Sequence, residues 1–288
     1  MSIVLRTENL CFTYGVKTPF EKVAVDNLNI EIKKGEFLGI IGHTGSGKST
    51  LVQMLNGLIT PTGGKVYLND KDINSDKKSL RSVRFQVGMV FQYPEYQLFD
   101  ETVYKDIAFG PKNMGLTGEK LDKSVRDSAR FTGLRDELLT KSPFDLSGGE
   151  KRRAAIAGVI AMDPEVLILD EPAAGLDPQG RDKLLGQIVE YHRERKNTVI
   201  LVSHSMEDIA RVADRILVMN KGRAEILDTT KNVFAMGDRL EKMGLRVPQI
   251  TKITQKLIEN GIHLPRGILT VEEAYDSITQ LLKKEGRL

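Results

Sequence analysis

Three observations in the sequence predict an α/β fold built on a buried parallel sheet. Short β-rich runs recur along the chain with helical stretches between them. Several later runs, "QVGMVFQ", "EVLILDEP" and "TVILVSH", are apolar on both faces, as strands covered on two sides must be. The Gly-rich segment "GHTGSGKST" stands between the apolar run "FLGII" and the helical "TLVQMLNGL".

Taken in order, "KVAVDNLNIEI", "EFLGIIG" and "KVYLND" open the set of runs, and the early ones lie close enough to read as antiparallel strands. From residue 93 to about 161 the pattern is mostly helical, which predicts a helical subdomain inserted in the α/β core. "EVLILDEP", "TVILVSH" and "RILVMNKGRAEIL" follow, the last with a hairpin turn centred on Lys221 and Gly222. The α/β domain is expected to occupy residues 1–230. Residues 231–288 form a helical C-terminal extension, where apolar residues return at helical spacing in "ITKITQKLIENG" and "VEEAYDSITQLLKK".

The bulk numbers narrow the class. With 40% hydrophobic and 28% charged residues over 288 positions, a globular core is expected. A net charge of +3, with both signs interleaved, makes no case for a nucleic-acid binder. Cys11 stands alone, so no internal disulfide forms and a reducing compartment fits; in its apolar stretch it reads as packing. No run of apolar residues reaches the length of a membrane span, and the N-terminus does not resemble a signal peptide.

Chemistry concentrates in a few places. "GHTGSGKST" fits G-x-x-x-x-G-K-[ST] over Gly42, His43, Thr44, Gly45, Ser46, Gly47, Lys48 and Ser49, and Thr50 completes the candidate phosphate-binding loop. Glycines let backbone N–H groups close around phosphate oxygens, and a helix N-terminus favours negative charge. Lys48 is expected to reach the β- and γ-phosphates of a nucleotide, and the Ser49 hydroxyl to ligate Mg²⁺. His43 falls at a variable position of the loop and reads as neutral.

"VLILDEP" ends an apolar strand with Asp170 and Glu171, whose side chains point to opposite faces. Asp170 is suited to hold Mg²⁺ and Glu171 to polarise the attacking water. His204 ends the next apolar run and is expected to contact the γ-phosphate; its bland alternative is a structural histidine. Gln92 also follows a buried strand, and its amide either ligates Mg²⁺ or holds the water. A second anion-suited turn, "LSGGE" with Ser147, Gly148, Gly149 and Glu150, opens a basic, Ala-rich helix.

In this order the elements resemble an ABC-type ATPase, over about residues 3–230. The resemblance makes residues 42–50 the P-loop, Gln92 the Q-loop, "LSGGE" the signature, residues 166–171 Walker B, "AGLD" with Asp177 the D-loop and His204 the switch. It implies that an aromatic in "CFTYG" stacks on adenine. Tyr14 is the choice, with Phe12 alternating if the strand register is off by two. It further implies head-to-tail dimers, in which Ser147, Gly148, Gly149, Glu150 and Asp177 serve the ATP bound by a partner. Ala173 departs from the pattern of many such ATPases, which carry Ser or Thr there.

"KTPFEKVAVDN", "FQYPEYQLF" and "SPFDLSGGEKRRAAIAGVIAMDPEVLILDEPAAGLDP" are similar to the second ATPase subunit of energy-coupling factor (ECF) transporters. That similarity implies an importer of vitamins or transition-metal ions at the cytoplasmic face of the membrane. Its partners would be a second ATPase (a different chain rather than an identical one), a transmembrane coupling subunit and a small substrate-binding membrane protein. Residues 93–99 match the place where the coupling subunit docks, or else pack within the helical subdomain. The extension resembles the family's dimer-contacting helices; the alternative is a cap on its own core. A conventional ABC importer and, more remotely, a non-transport ABC protein compete with this reading.

Overall fold

The structure, a computed structural model, describes residues 2–76 and 79–284. The chain begins with β1 (Ile3–Tyr14), β2 (Lys22–Leu28), β3 (Glu31–Lys33), β4 (Phe37–Ile41) and α1 (Lys48–Leu55). Next come β5 (Gly63–Leu68), β6 (Lys71–Asp72), α2 (Leu80–Gln86) and β7 (Val87–Val90). The helices α3 (Val103–Asn113), α4 (Gly118–Phe131) and α5 (Gly148–Ile160) follow. The chain then returns to α/β structure through β8 (Val166–Asp170), α6 (Pro178–Arg195), β9 (Thr198–Val202), α7 (Met206–Val212), β10 (Arg215–Asn220) and β11 (Arg223–Thr229). It closes with α8 (Thr230–Ala235), α9 (Gly237–Lys242), α10 (Gln249–Glu259) and α11 (Val271–Lys284). The last four residues of the expected extension, 285–288, lie outside the described residues, as do residues 1, 77 and 78 of the expected α/β domain.

Among the described residues two sheets form. One is antiparallel, ordered β2-β1-β5-β6 with β3 also on β1; the other is ordered β11-β10-β4-β9-β8-β7 and is parallel apart from the β10–β11 hairpin. β4, β8 and β9 are buried at every residue, because each face of their sheet carries its own core. Phe37, Ile41, Leu167, Leu169, Val199 and Leu201 pack on one side with α6 and α7. Their alternating neighbours Leu38, Ile40, Val166, Ile168, Ile200 and Val202 pack on the other with α1 and the antiparallel sheet. Period-two alternation thus divides each apolar strand between two cores. Cutting any of these leucines or isoleucines to Ala is a loss of about 2–5 kcal/mol.

The hairpin turn falls on Lys221 and Gly222, both at positive φ (47° and 81°), as a two-residue turn between right-twisted strands requires. The first run, "KVAVDNLNIEI", is not one strand but two. Asn27 adopts φ 47°, and the Thr7 hydroxyl of β1 takes over at the break, donating to Leu28 O (2.9 Å) and accepting from Ile30 N (3.1 Å). β1 itself is missing from the runs read in sequence. Its pairing shifts register with each of its neighbours, so its burial does not alternate cleanly.

Between β7 and β8, α3, α4 and α5 enclose a separate apolar cluster that includes Val103, Ile107, Leu121, Val125 and Ala157. The start of the extension packs on the main core: Val233, Phe234, Leu240, Leu245 and Val247 join the α6 side. α10 and α11 close a small cluster of their own around Leu264, Ile268 and Ala274. No helix of the described residues is long and apolar enough to cross a membrane.

Candidate nucleotide site

The order β4-β9-β8-β7 decides what meets. Ile40 is level with Val202, and Val202 with Asp170, while Val90 is level with Leu169. The loop after β4, the turn after β9, the acid pair at the end of β8 and Gln92 after β7 therefore form a row along one carboxyl edge, where open parallel sheets hold ligands.

Residues 42–47 pass from β4 into α1 under tight constraints. A Cβ on Gly42 would stand 2.4 Å from Met219 O and 2.5 Å from Ser46 Oγ. Gly47, at φ +100°, would place one 2.3 Å from Ala24 O. The Lys48 ammonium, 5% exposed, donates to Gly42 O (2.7 Å) and His43 O (3.1 Å) across the loop. Burial pushes the Lys48 pKa down, while the nearby Glu171 and Asp170 carboxylates act the other way. The His43 ring spans Thr44 O (2.8 Å) and Asn220 Oδ1 (3.1 Å), tying the loop to the end of β10. Gly45, at φ +81°, faces open space. The Ser46 hydroxyl is buried and finds no hydrogen-bond partner among the described residues.

Tyr14 ends β1 with its ring 45% exposed and its hydroxyl 3.1 Å from Thr50 Oγ1, at the first turn of α1. Phe12 meets it edge-on at 4.8 Å but packs against the core. Of the two aromatics, Tyr14 is the one left open beside the loop.

Asp170 and Glu171 take different surroundings, because β8 ends at Asp170 and Glu171 leaves it at positive φ. Asp170 is buried; desolvation raises its pKa, partly offset by a hydrogen bond from the Ser49 hydroxyl and by the Lys48 charge. Glu171 adopts φ 52°, a conformation that costs a non-Gly residue about 1–3 kcal/mol, while its N–H donates to Val202 O (3.0 Å). Its carboxylate lies 2.8 Å from His204 Nε2 and accepts from Gln92 Nε2 at 3.3 Å. The described residues hold no cluster of three His, Cys, Asp or Glu side chains suited to a metal ion. A hydroxyl and one carboxylate, Ser49 and Asp170, form the hard-oxygen donor set expected where a Mg²⁺ ion takes its remaining ligands from phosphate and water.

The other predicted residues sit elsewhere. Ser147 caps α5: its Oγ accepts from Glu150 N (3.4 Å), while Glu150 Oε2 receives Ser147 N (2.9 Å) and Oγ (2.7 Å). Glu150 is thus the clasp of the turn, and these hydrogen bonds hold its carboxyl below the usual range. Gly148 is open: a Cβ there would meet nothing within 4 Å. Asp177 caps α6 through Gly180 N (2.6 Å). Ser147, Gly149 and Asp177 line one cleft of about 360 Å³ that contains no P-loop residue. A different cleft, about 450 Å³, runs between Gly42, His43, Thr44 and His204 on one side and residues 244–247 of the extension on the other. Sequence reading missed that contact, since no motif marks residues 244–247 and only the packing of Leu245 and Val247 brings them there.

The pattern of the ABC transporter family matches residues 25–174. The energy-coupling factor transporter ATP-binding protein EcfA2 of Caldanaerobacter subterraneus subsp. tengcongensis is 54% identical over 97% of this chain and 98% of that protein. The chain belongs to the ABC transporter ATPases, in their energy-coupling factor group. EcfA2 of Clostridium acetobutylicum is 52% identical over 98% of this chain and 99% of its own. Among solved structures, cbiO1 from Clostridium perfringens, part of the ABC transporter complex cbiONQ, aligns with TM-score 0.75 and 37% identity, over 88% of this chain and 100% of that one. The cassette MJ0796, solved as a post-hydrolysis dimer bound to ADP and Pi, aligns with TM-score 0.71 and 28% identity, over 78% and 98%.

Proposed function

We infer that this chain is the ATP-binding and ATP-hydrolysing subunit that powers an ECF-type importer of vitamins or transition-metal ions, through ATP-driven head-to-tail pairing. The observation that carries the reading is the separation of the two anion-suited turns. Lys48, Asp170, Glu171, Gln92 and His204 share one edge, whereas Ser147, Gly149 and Asp177 line a cleft without any P-loop residue. One chain offers two half-sites that need a second chain to meet. Its partners are a second ATPase, different from this chain rather than a copy, a membrane coupling subunit and a small substrate-binding membrane protein. These would hold it at the cytoplasmic face of the membrane, and no helix of the described residues is long and apolar enough to cross one itself.

The chemistry follows from the residues. Backbone N–H groups of residues 44–49 and the Lys48 ammonium would hold the phosphates, with Tyr14 under the base. Ser49 and Asp170, with the Gln92 amide within reach of Glu171, would hold Mg²⁺, which when bound neutralises charge on the β- and γ-phosphates. Glu171 accepts the proton of the attacking water, and His204 Nε2, 2.8 Å from its carboxylate, holds that carboxylate in place.

The test is steady-state ATPase activity of the purified chain against its own concentration, then with a second ATPase and a coupling subunit added. Near silence alone, relieved by the second ATPase, is the expected result. Activity rising steeply with concentration of this chain alone would instead make the pair a homodimer.

A further inference from the structure

The turn after Gln92, the signature helix and the D-loop meet at one buried side chain. Arg152 lies on α5, one turn in from Ser147, and is 5% exposed. Its guanidinium grips Glu95 through Nε to Oε2 (2.9 Å) and Nη2 to Oε1 (2.5 Å). Glu95 belongs to the 3₁₀ turn Pro94–Gln97, which Tyr93 enters at φ 55°. The remaining terminal nitrogen, Nη1, donates to Ala174 O at 2.6 Å, three residues before Asp177. The Tyr93 ring completes the junction, 6.0 Å from the guanidinium carbon and with Cε1 3.9 Å from where a Cβ on Gly175 would stand. Arg152 also lines the cleft that holds Ser147, Gly149 and Asp177.

A planar guanidinium that divides its three nitrogens between two different segments fixes their angles as well as their distances, which an ammonium on a flexible stem cannot do. Among the described residues, the other hydrogen bonds of the 174–177 segment are local: Ala174 N to Glu171 O (3.1 Å), Leu176 N to Ala173 O (3.2 Å) and the Asp177 cap. Tyr96 within the turn and Phe99 just after it are exposed aromatic side chains on the same 93–99 segment.

We propose that Arg152 is a positioning residue that makes the 94–97 turn, the start of α5 and residues 174–177 move as one body, so that a displacement of the turn by a docked membrane subunit reaches Ser147, Gly148, Gly149 and Asp177 together. The inference rests on the transport reading for its consequence, while the rigid junction stands on the contacts alone. It adds a route between the two faces of the helical subdomain that the motif residues do not themselves contain.

Hydrogen exchange on the full-length chain tests the junction without any partner. Arg152→Lys and Glu95→Gln should each speed exchange at 94–97, at 147–151 and at 174–177 together, by about tenfold or more, the scale of one lost charge-assisted hydrogen bond. The P-loop and β4 should be unchanged, and so should affinity for a fluorescent ATP analogue. Arg152→Met with Glu95→Met replaces the ion pair by apolar groups of similar length, and keeps the test valid if the single variants fold poorly. In the assembled transporter these variants should lower kcat and the stimulation by the coupling subunit while leaving KM for ATP in place. Loosening confined to the substituted segment, or full stimulation in Arg152→Lys, would overturn the proposal. A parent chain inactive in every assembly would overturn the transport reading, and joint loosening in the exchange experiment would still support the junction.

Discussion

Replacing Glu171 by Gln removes proton acceptance while keeping the length and shape of the side chain. Gln has the same shape, so the neighbouring groups keep their positions. The Glu171 carboxylate accepts from Gln92 Nε2 at 3.3 Å and meets His204 Nε2 at 2.8 Å on its other oxygen. An amide offers one oxygen for two such neighbours, so one contact is lost along with the charge. None of the P-loop hydrogen bonds passes through Glu171: Lys48 is held by Gly42 O and His43 O. The charge removed is one of two that support the Lys48 ammonium, and Asp170 stays. ATP binding should therefore survive. Turnover should fall by roughly 10²–10⁴, the range for a positioned general base, or about 3–5 kcal/mol of barrier. The assay pairs steady-state phosphate release by the assembled ATPases with equilibrium binding of a fluorescent ATP analogue. Turnover within a few-fold of the parent would refute Glu171 as the base. A large loss of binding would show that the carboxylate supports the nucleotide itself.

Tyr14→Ala should weaken ATP binding about fivefold, the equivalent of ~1 kcal/mol of ring contact, whereas Phe12→Ala should lower stability and spare affinity; the reverse pattern in a titration would move the adenine contact to Phe12. The Tyr191 hydroxyl is buried with no hydrogen-bond partner among the described residues, so Tyr191→Phe should raise the urea midpoint, with a gain in stability of up to about 1 kcal/mol; a clear loss would mean that the hydroxyl has a partner. Burial raises the Glu95 pKa, but the Arg152 hydrogen bond and charge outweigh it and leave the carboxyl below its ordinary 4.5. As pH falls below about 4.5 the unfolded chain takes up this proton before the folded one, so stability present above that value drains away through the lower folded pKa. Urea denaturation of the parent and Glu95→Gln should show their difference shrinking as pH falls; a difference that grows would reverse the sign of the shift.

Much of this was legible from local chemistry. The loop at residues 42–50 is readable because close backbone approach demands glycine: at Gly42 and Gly47 a Cβ would stand within 2.4 Å of a carbonyl oxygen. The β8 and β9 strands are readable because burial on both faces leaves polar residues only at one end of each, Asp170 and Thr198, and the turn at Lys221 and Gly222 because a two-residue hairpin needs positive φ. β1 was not legible, since its register shifts blur the alternation, nor was the break after Leu28, which depends on a hydroxyl carried by another strand.

By itself, the sequence determined which groups are available: a phosphate-suited loop, two adjacent carboxylates at a strand end, a capped and basic helix start, and apolar strands that must be covered twice. Each of these is set by neighbours within a few residues, through backbone geometry and side-chain periodicity. Only the tertiary structure decided which of them meet. The strand order β4-β9-β8-β7 puts Lys48, His204, Glu171 and Gln92 on one edge, although Gln92 and Glu171 lie 79 residues apart in the chain. The same packing sends Ser147 and Asp177 to a separate cleft and folds residues 244–247 back beside the P-loop. Strand order and helix docking are chosen by which apolar faces fit together across the whole molecule, and no local pattern encodes that choice.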